Sequence, residues 1–284
     1  MELIHAVFSK IKMNRTIEKY NRIYSINILE TMNFDKSFRW SEYYWYISKL
    51  SNTLNYNSFD VMYGVELIGI AARLMDDLLD NDTELSNIIC SEHLSLLTTE
   101  LLVESLELIG RHKNFDYNLL REALHAEFLD YSTVVDSSKS IDFYFQNIVQ
   151  KSTAIFRLIT KLGSNNNDSL DKFANHYGTL VQIENDIVGI LKFPSTDISE
   201  LKNTLPLIAS INTLNSNNNK SLLSLLNNPE TPIQTIQSKI IETGAIDFCE
   251  ELVYSEKMKA LILLEELECT NDMLKFKNYL ELEN

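Results

Sequence analysis

Ala71-Ala72-Arg73-Leu74-Met75-Asp76-Asp77-Leu78-Leu79-Asp80 carries an apolar run into an Asp-Asp-x-x-Asp cluster. On a helix, residues three and four apart share a face, so Asp76 and Asp80 project together. Carboxylates gathered at one-turn spacing suit a hard cation such as Mg²⁺, which takes carboxylate oxygens and keeps water or substrate phosphate in its other positions. A solvated acidic helix end explains a lone cluster equally well. The second cluster, in Val181-Gln182-Ile183-Glu184-Asn185-Asp186-Ile187-Val188-Gly189-Ile190-Leu191-Lys192, strengthens the metal reading. Gln182, Asn185, Asp186 and Gly189 fall at helical spacing, and facing helices of a bundle build metal sites from such pairs of clusters.

The rest of the sequence supports helices throughout. The chain has 284 residues, 45% of them hydrophobic, which provides for a sizeable core. Nothing in it resembles a linker, so one domain over 1–284 is expected. Only 7 Gly and 4 Pro occur, and Pro194, Pro206, Pro229 and Pro232 all lie in the last third. Residues 1–193 are therefore free of the strongest helix breaker. Amphipathic stretches at Leu94 to Ile109, Phe143 to Leu162 and Ile246 to Leu267 fit a 3.6-residue period, and no Asn-Gly or Asp-Gly hairpin signal occurs. The fold class is all-α.

A net charge of −15 argues against a nucleic-acid or anionic-membrane surface, both of which favour clustered Lys and Arg. No apolar run reaches transmembrane length, and the start Met1-Glu2-Leu3-Ile4-His5 has no basic region or cleavage site, so a cytoplasmic protein is expected. Cys90, Cys249 and Cys269 form no metal-binding pattern and are expected to be reduced thiols.

These segments resemble the isoprenyl diphosphate synthase family, whose fold is a bundle of long helices around an apolar cavity with two Asp-rich motifs at its mouth. Glu66-Leu67-Ile68 followed by Asp76-Asp77-Leu78-Leu79-Asp80 is similar to the first motif, and Val181 to Gly189 to the second, Phe-Gln-Ile-x-Asp-Asp-x-x-Asp. Lys151-Ser152-Thr153-Ala154-Ile155-Phe156 resembles the Lys-Thr-Ala/Gly segment, and Lys202-Asn203-Thr204-Leu205-Pro206-Leu207 the Lys-x-Thr-Leu-Pro segment. Ala126-Glu127-Phe128-Leu129-Asp130 resembles Gly-Gln-x-x-Asp, which makes Glu127 and Asp130 candidates to support the metal site.

The departures concern the second substrate, isopentenyl diphosphate. Family condensing enzymes hold it with an N-terminal Gly-Gly-Lys-Arg loop, a His seven residues before the first motif, and an Arg-Arg-Gly after it. Here the first glycine is Gly64, the His position is Gly69, and no Lys or Arg occurs between Asn81 and Gly110. A phosphate site needs donors or positive charge, so the isopentenyl pocket is expected to be lost.

Two branches share that profile. ComQ-type peptide-pheromone prenyltransferases alkylate a Trp of a small precursor peptide, and the chain resembles them in length, in Ser37-Phe38-Arg39-Trp40-Ser41-Glu42 and in the form of the first motif. Terpene synthases cyclise or hydrolyse farnesyl or geranylgeranyl diphosphate. Their Asn/Asp-Asp-x-x-Ser-x-x-x-Glu motif is partly echoed by Asn185-Asp186, with Gly189 at the Ser and Phe193 at the Glu. A noncatalytic regulatory subunit is a further alternative, which the retained aspartates oppose. The peptide reading leads.

The resemblance implies Mg²⁺ held by Asp76, Asp77, Asp80, Asn185 and Asp186. It implies a prenyl diphosphate bound by Lys151, Lys192, Lys202 and Gln182, with Asp76, Asp80, Lys151 and Asn185 as the catalytic set and a homodimer as the assembly. Arg73, an odd charge in an apolar stripe, either joins the diphosphate site or pairs with Asp77 at i,i+4. Ala71, Ala72 and Phe156 are expected to line the cavity, the small residues leaving depth for a C15 or longer chain.

Overall fold

The computed structural model describes residues 2–80, 84–217, 219–267 and 270–282, and of Asp80 only the backbone. All regular structure among the described residues is helical. The longer helices are α1 (Glu2–Lys12), α2 (Arg15–Tyr24), α3 (Trp40–Leu50), α4 (Ser58–Asp80), α5 (Ser91–Ile109) and α6 (Tyr117–Ser132). There follow α7 (Gln150–Ser164), α8 (Asp168–Leu191), α9 (Leu205–Ser216), α10 (Ile233–Glu242), α11 (Ala245–Glu265) and α12 (Asn271–Tyr279).

Their ends obey local chemistry. Asn14 caps α2 by accepting the Ile17 amide, and Asp116 caps α6 by accepting that of Asn118. Pro206 sits in the first turn of α9, where its missing N–H costs no hydrogen bond. Gly244, with φ 74°, makes the left-handed turn that separates α10 from α11. The expected continuous helix from Phe143 to Leu162 is interrupted. Tyr144–Ile148 form a wide π-helical turn, closed by the Val149 amide on the Tyr144 carbonyl at 3.1 Å, and this turn directs Tyr144 and Ile148 into the interior.

The described residues gather into two compact units. The first comprises 1–115, 159–167 and 269–284. In it α4 lies against α5 so closely that a β-carbon on Gly64 would stand 2.6 Å from Ile109 Cγ2, and Ser105 Oγ donates to the Gly64 carbonyl at 2.7 Å. The rings of Phe38, Tyr43, Tyr46, Phe276 and Tyr279 pack together in the same unit.

The second unit comprises 116–158 and 168–268. Its core joins Ile183, Ile187 and Ile190 of α8 to Leu205 and Ile208 of α9, Ile240 of α10 and Cys249 of α11. No helix among the described residues is long and apolar enough to cross a membrane.

Candidate functional site

In the first unit the acidic cluster occupies the last turn of α4, with Asp76 exposed and Asp77 half-buried. The side chain of Asp80 lies outside the described residues. No basic residue stands in that turn, so the carboxylates crowd the negative end of the helix dipole, where a cation is favoured. Arg73 is exposed. Ala71 is buried and Ala72 exposed.

Two turns earlier on α4, the Glu66 carboxylate accepts the Ser41 amide at 2.7 Å and so caps α3, whose own N-cap residue, Arg39, supplies no side-chain bond. Burial raises the Glu66 pKa to about 7, with the Ser41 hydrogen bond opposing the shift. One turn on, the Trp40 indole lies on Gly69, and a β-carbon there would collide with Trp40 Cδ1 and Nε1. The glycine that replaces the expected His is thus covered by a ring.

In the second unit a buried polar chain runs through the other cluster. Ser152 Oγ donates to Gln182 Oε1 at 2.6 Å, and Gln182 Nε2 donates to Asp186 Oδ1 at 2.8 Å. Asp186 Oδ2 accepts the Leu205 amide at 2.8 Å and holds the start of α9. Burial raises the Asp186 pKa to about 6, against the pull of the nearby Lys151 charge and of those two hydrogen bonds. The Tyr144 hydroxyl, wholly buried, stands near this carboxylate without a hydrogen bond of good geometry. Its pKa is pushed well above the usual value, first by burial and then by the Asp186 charge.

Lys151 lies 2.6 Å from Asp130, with side-chain exposures of 21% and 9%, so Asp130 serves the lysine directly. The α7 and α8 backbones meet closely beside this chain: a β-carbon on Gly178 would stand 2.7 Å from Thr153 Cα. Phe156 is buried edge-on against Tyr177, with ring centroids 5.1 Å apart. Asn185 and Lys192 are exposed on α8 and just beyond its end.

Beyond Asp186 the expected helical register fails. Helix α8 stops at Leu191, so Phe193 does not continue the face of Asn185 and Gly189, and it is 65% exposed rather than core. The chain then folds back. Ser195 Oγ donates to the Gly189 carbonyl at 2.7 Å, and the Asp197 carboxylate occupies the volume that a side chain at Gly189 would fill. Lys202 Nζ lies 3.6 Å from Asp197 Oδ1. The sequence pattern did not single out Asp197, and it carried Trp40 only as part of the Ser37 to Glu42 stretch. The glycines at 189 and 69, each standing where the family pattern has a functional side chain, were the available signal.

Asp76 and Asp77 in the first unit, and Asn185 and Asp186 in the second, each offer hard oxygen atoms of the kind Mg²⁺ takes. Each oxygen of Asp186 already accepts a hydrogen bond, which weakens it as a metal donor. Among the described residues no group of three or more His, Cys, Asp or Glu side chains gathers as a metal cluster.

No protein-family model matches the chain. An all-trans-nonaprenyl-diphosphate synthase (geranyl-diphosphate specific) of Rhodobacter capsulatus is 28% identical over 138 residues, 44% of this chain and 42% of that protein. A short chain isoprenyl diphosphate synthase of Methanocaldococcus jannaschii is 24% identical over 208 residues, 62% of each. The chain thus matches less than two thirds of the length of these relatives. Among solved structures, geranylgeranyl pyrophosphate synthase of Lactobacillus brevis superposes with a TM-score of 0.80 at 14% identity, over 99% of this chain and 95% of that one. Heptaprenyl diphosphate synthase of Staphylococcus aureus gives 0.79 at 16% identity, over 98% and 97%. The helical fold of this chain is that of these solved prenyl diphosphate synthases, and the two relatives in sequence are synthases of isoprenyl diphosphates by name.

Proposed function

We propose that this chain is a Mg²⁺-dependent enzyme that ionises an allylic prenyl diphosphate of C15 or longer without using isopentenyl diphosphate. The prenyl group passes to the Trp of a small peptide. The observation that carries this reading is the Trp40 indole on Gly69, because it fills the face from which the family's His would reach a second diphosphate. The two units act as one domain in this proposal, and the chain works as a soluble homodimer.

Bound Mg²⁺ supplies Lewis-acid stabilisation of the departing diphosphate. Asp76, Asp77, Asp80 and Asn185 would hold it, with Asp186 contributing only what its two hydrogen bonds leave free on each oxygen. Lys151, fixed by Asp130 at 2.6 Å, and Lys202 present preorganised positive charge to the diphosphate, and Lys192 adds a solvated one. The Ser152–Gln182–Asp186 chain holds α7, α8 and the start of α9 in one register, so Lys151 keeps its place when substrate charge arrives. Buried Phe156 and Tyr177 line the neighbouring interior with apolar surface that excludes water.

The test is incubation of the purified chain with Mg²⁺ and farnesyl or geranylgeranyl diphosphate, with and without a Trp-containing peptide. Diphosphate release coupled to a prenylated peptide supports the reading. A cyclic hydrocarbon or alcohol formed without peptide would move the chain to the terpene synthases, which the Asn185-Asp186 pair favours. Longer prenyl diphosphates made from added isopentenyl diphosphate would overturn the loss of the second pocket.

A further inference from the structure

The geometry points to Asp197 as a positioning residue for Lys202, admitted to its place by the missing side chain at Gly189. This inference rests on Lys202 contacting the diphosphate, as proposed above.

Lys202 begins the segment that leads into α9, and a lysine on such a loop has four rotatable bonds to lose before it can serve one phosphate. Here its freedom is already restricted. Its Nζ stands 3.6 Å from Asp197 Oδ1 and 3.9 Å from Glu200 Oε2, and its amide donates to the Asp197 carbonyl at 2.9 Å. Lys202 and Asp197 are 15% and 14% exposed, whereas Glu200 is 45% exposed and a weaker, solvent-screened partner.

The loop that carries Asp197 is held at two points. The Ser195 hydroxyl ties the loop to the Gly189 carbonyl, and the Leu201 carbonyl accepts the Val135 amide at 2.8 Å. The carboxylate then rests against the bare α-carbon of Gly189, where any β-carbon would land on Asp197 Oδ2. Glycine inside a helix is less favourable than alanine, and the notch it leaves at 189 seats Asp197. The arrangement parallels Asp130 and Lys151, in which a largely buried carboxylate holds a candidate diphosphate lysine.

The experiment measures Mg²⁺-dependent binding of inorganic diphosphate by calorimetry, with a melting curve for every variant. Asp197→Asn should weaken binding about tenfold, the effect of losing one charge-assisted contact, with little change in melting. Gly189→Ala should lower both affinity and melting temperature. The double change Gly189→Ala with Asp197→Gly removes the collision but not the loss of charge, so it should restore melting and leave affinity low. A purely packing role predicts recovery of both, and that result overturns the inference. So does loss of binding in Lys202→Met together with full binding in Asp197→Asn, which leaves the diphosphate role of Lys202 standing. Full binding by Lys202→Met, or none by the unaltered chain, overturns that role and this inference with it.

Discussion

The Trp40 indole and Gly69 meet face to face, with no room between them for a β-carbon. The same corner is clasped by Glu66, three residues before Gly69, which accepts the amide of Ser41, next to Trp40. Gly69→His alone should therefore destabilise the chain by about 1–3 kcal/mol through overpacking, without creating isopentenyl diphosphate binding. Gly69→His combined with Trp40→Ala should recover most of that stability. Melting curves and calorimetry with isopentenyl diphosphate check both statements.

Asp76→Asn and Asp80→Asn should each lower Mg²⁺-dependent diphosphate release about a thousandfold, by removing a metal ligand. In the absence of metal, Asp76→Asn should keep the chain folded and helical, because residue 76 is exposed in the last turn of α4. Activity lost while stability holds separates a ligand from a structural residue. Undiminished release by both variants, or in EDTA, would show these carboxylates to be a solvated helix end.

Lys151→Ala should cost more stability than Asp130→Ala. The first strands a carboxylate that is 9% exposed, and the second leaves a lysine 21% exposed that can reach water. Because Lys151 is the charge that most lowers the Asp186 pKa, its removal should also push that pKa further above about 6. Carboxylate ¹³C titration of Asp186 in both forms reads the shift.

Glu66 and Asp186 are buried acids whose pKa values rise to about 7 and about 6 in the folded chain. In the folded state each binds its proton more tightly than in the unfolded state. Their contribution to stability is therefore greatest below about pH 4 and is lost as pH rises through about 6 for Asp186 and about 7 for Glu66. Unfolding free energy, and melting temperature with it, should fall between about pH 5 and pH 7.5 through these two groups, the Glu66 part being on the order of 3 kcal/mol at most. Glu66→Gln, which keeps an acceptor for Ser41, should flatten that fall. An unchanged slope would show that Glu66 does not carry it.

The helical class and the two polar clusters were legible in the sequence. Spacing of apolar residues fixes which face of a helix is buried, and prolines confined to the last third leave the long α4 and α8 unbroken. It also marked Gly69 and Gly189 as absences, because a missing side chain is visible in a pattern. What stands in each gap was decided only by tertiary structure. Trp40 is 29 residues from Gly69 (69 − 40) and Asp197 is 8 from Gly189 (197 − 189) on a loop past a helix end, and no local periodicity encodes either meeting. Phe193 illustrates the same limit, since the period of α8 extends past Leu191 on paper while the chain leaves the helix there and turns its ring to solvent. The role of Asp186 was also settled by packing, because its carboxylate meets the Leu205 amide only once the chain after α8 has brought α9 alongside it, 19 residues later.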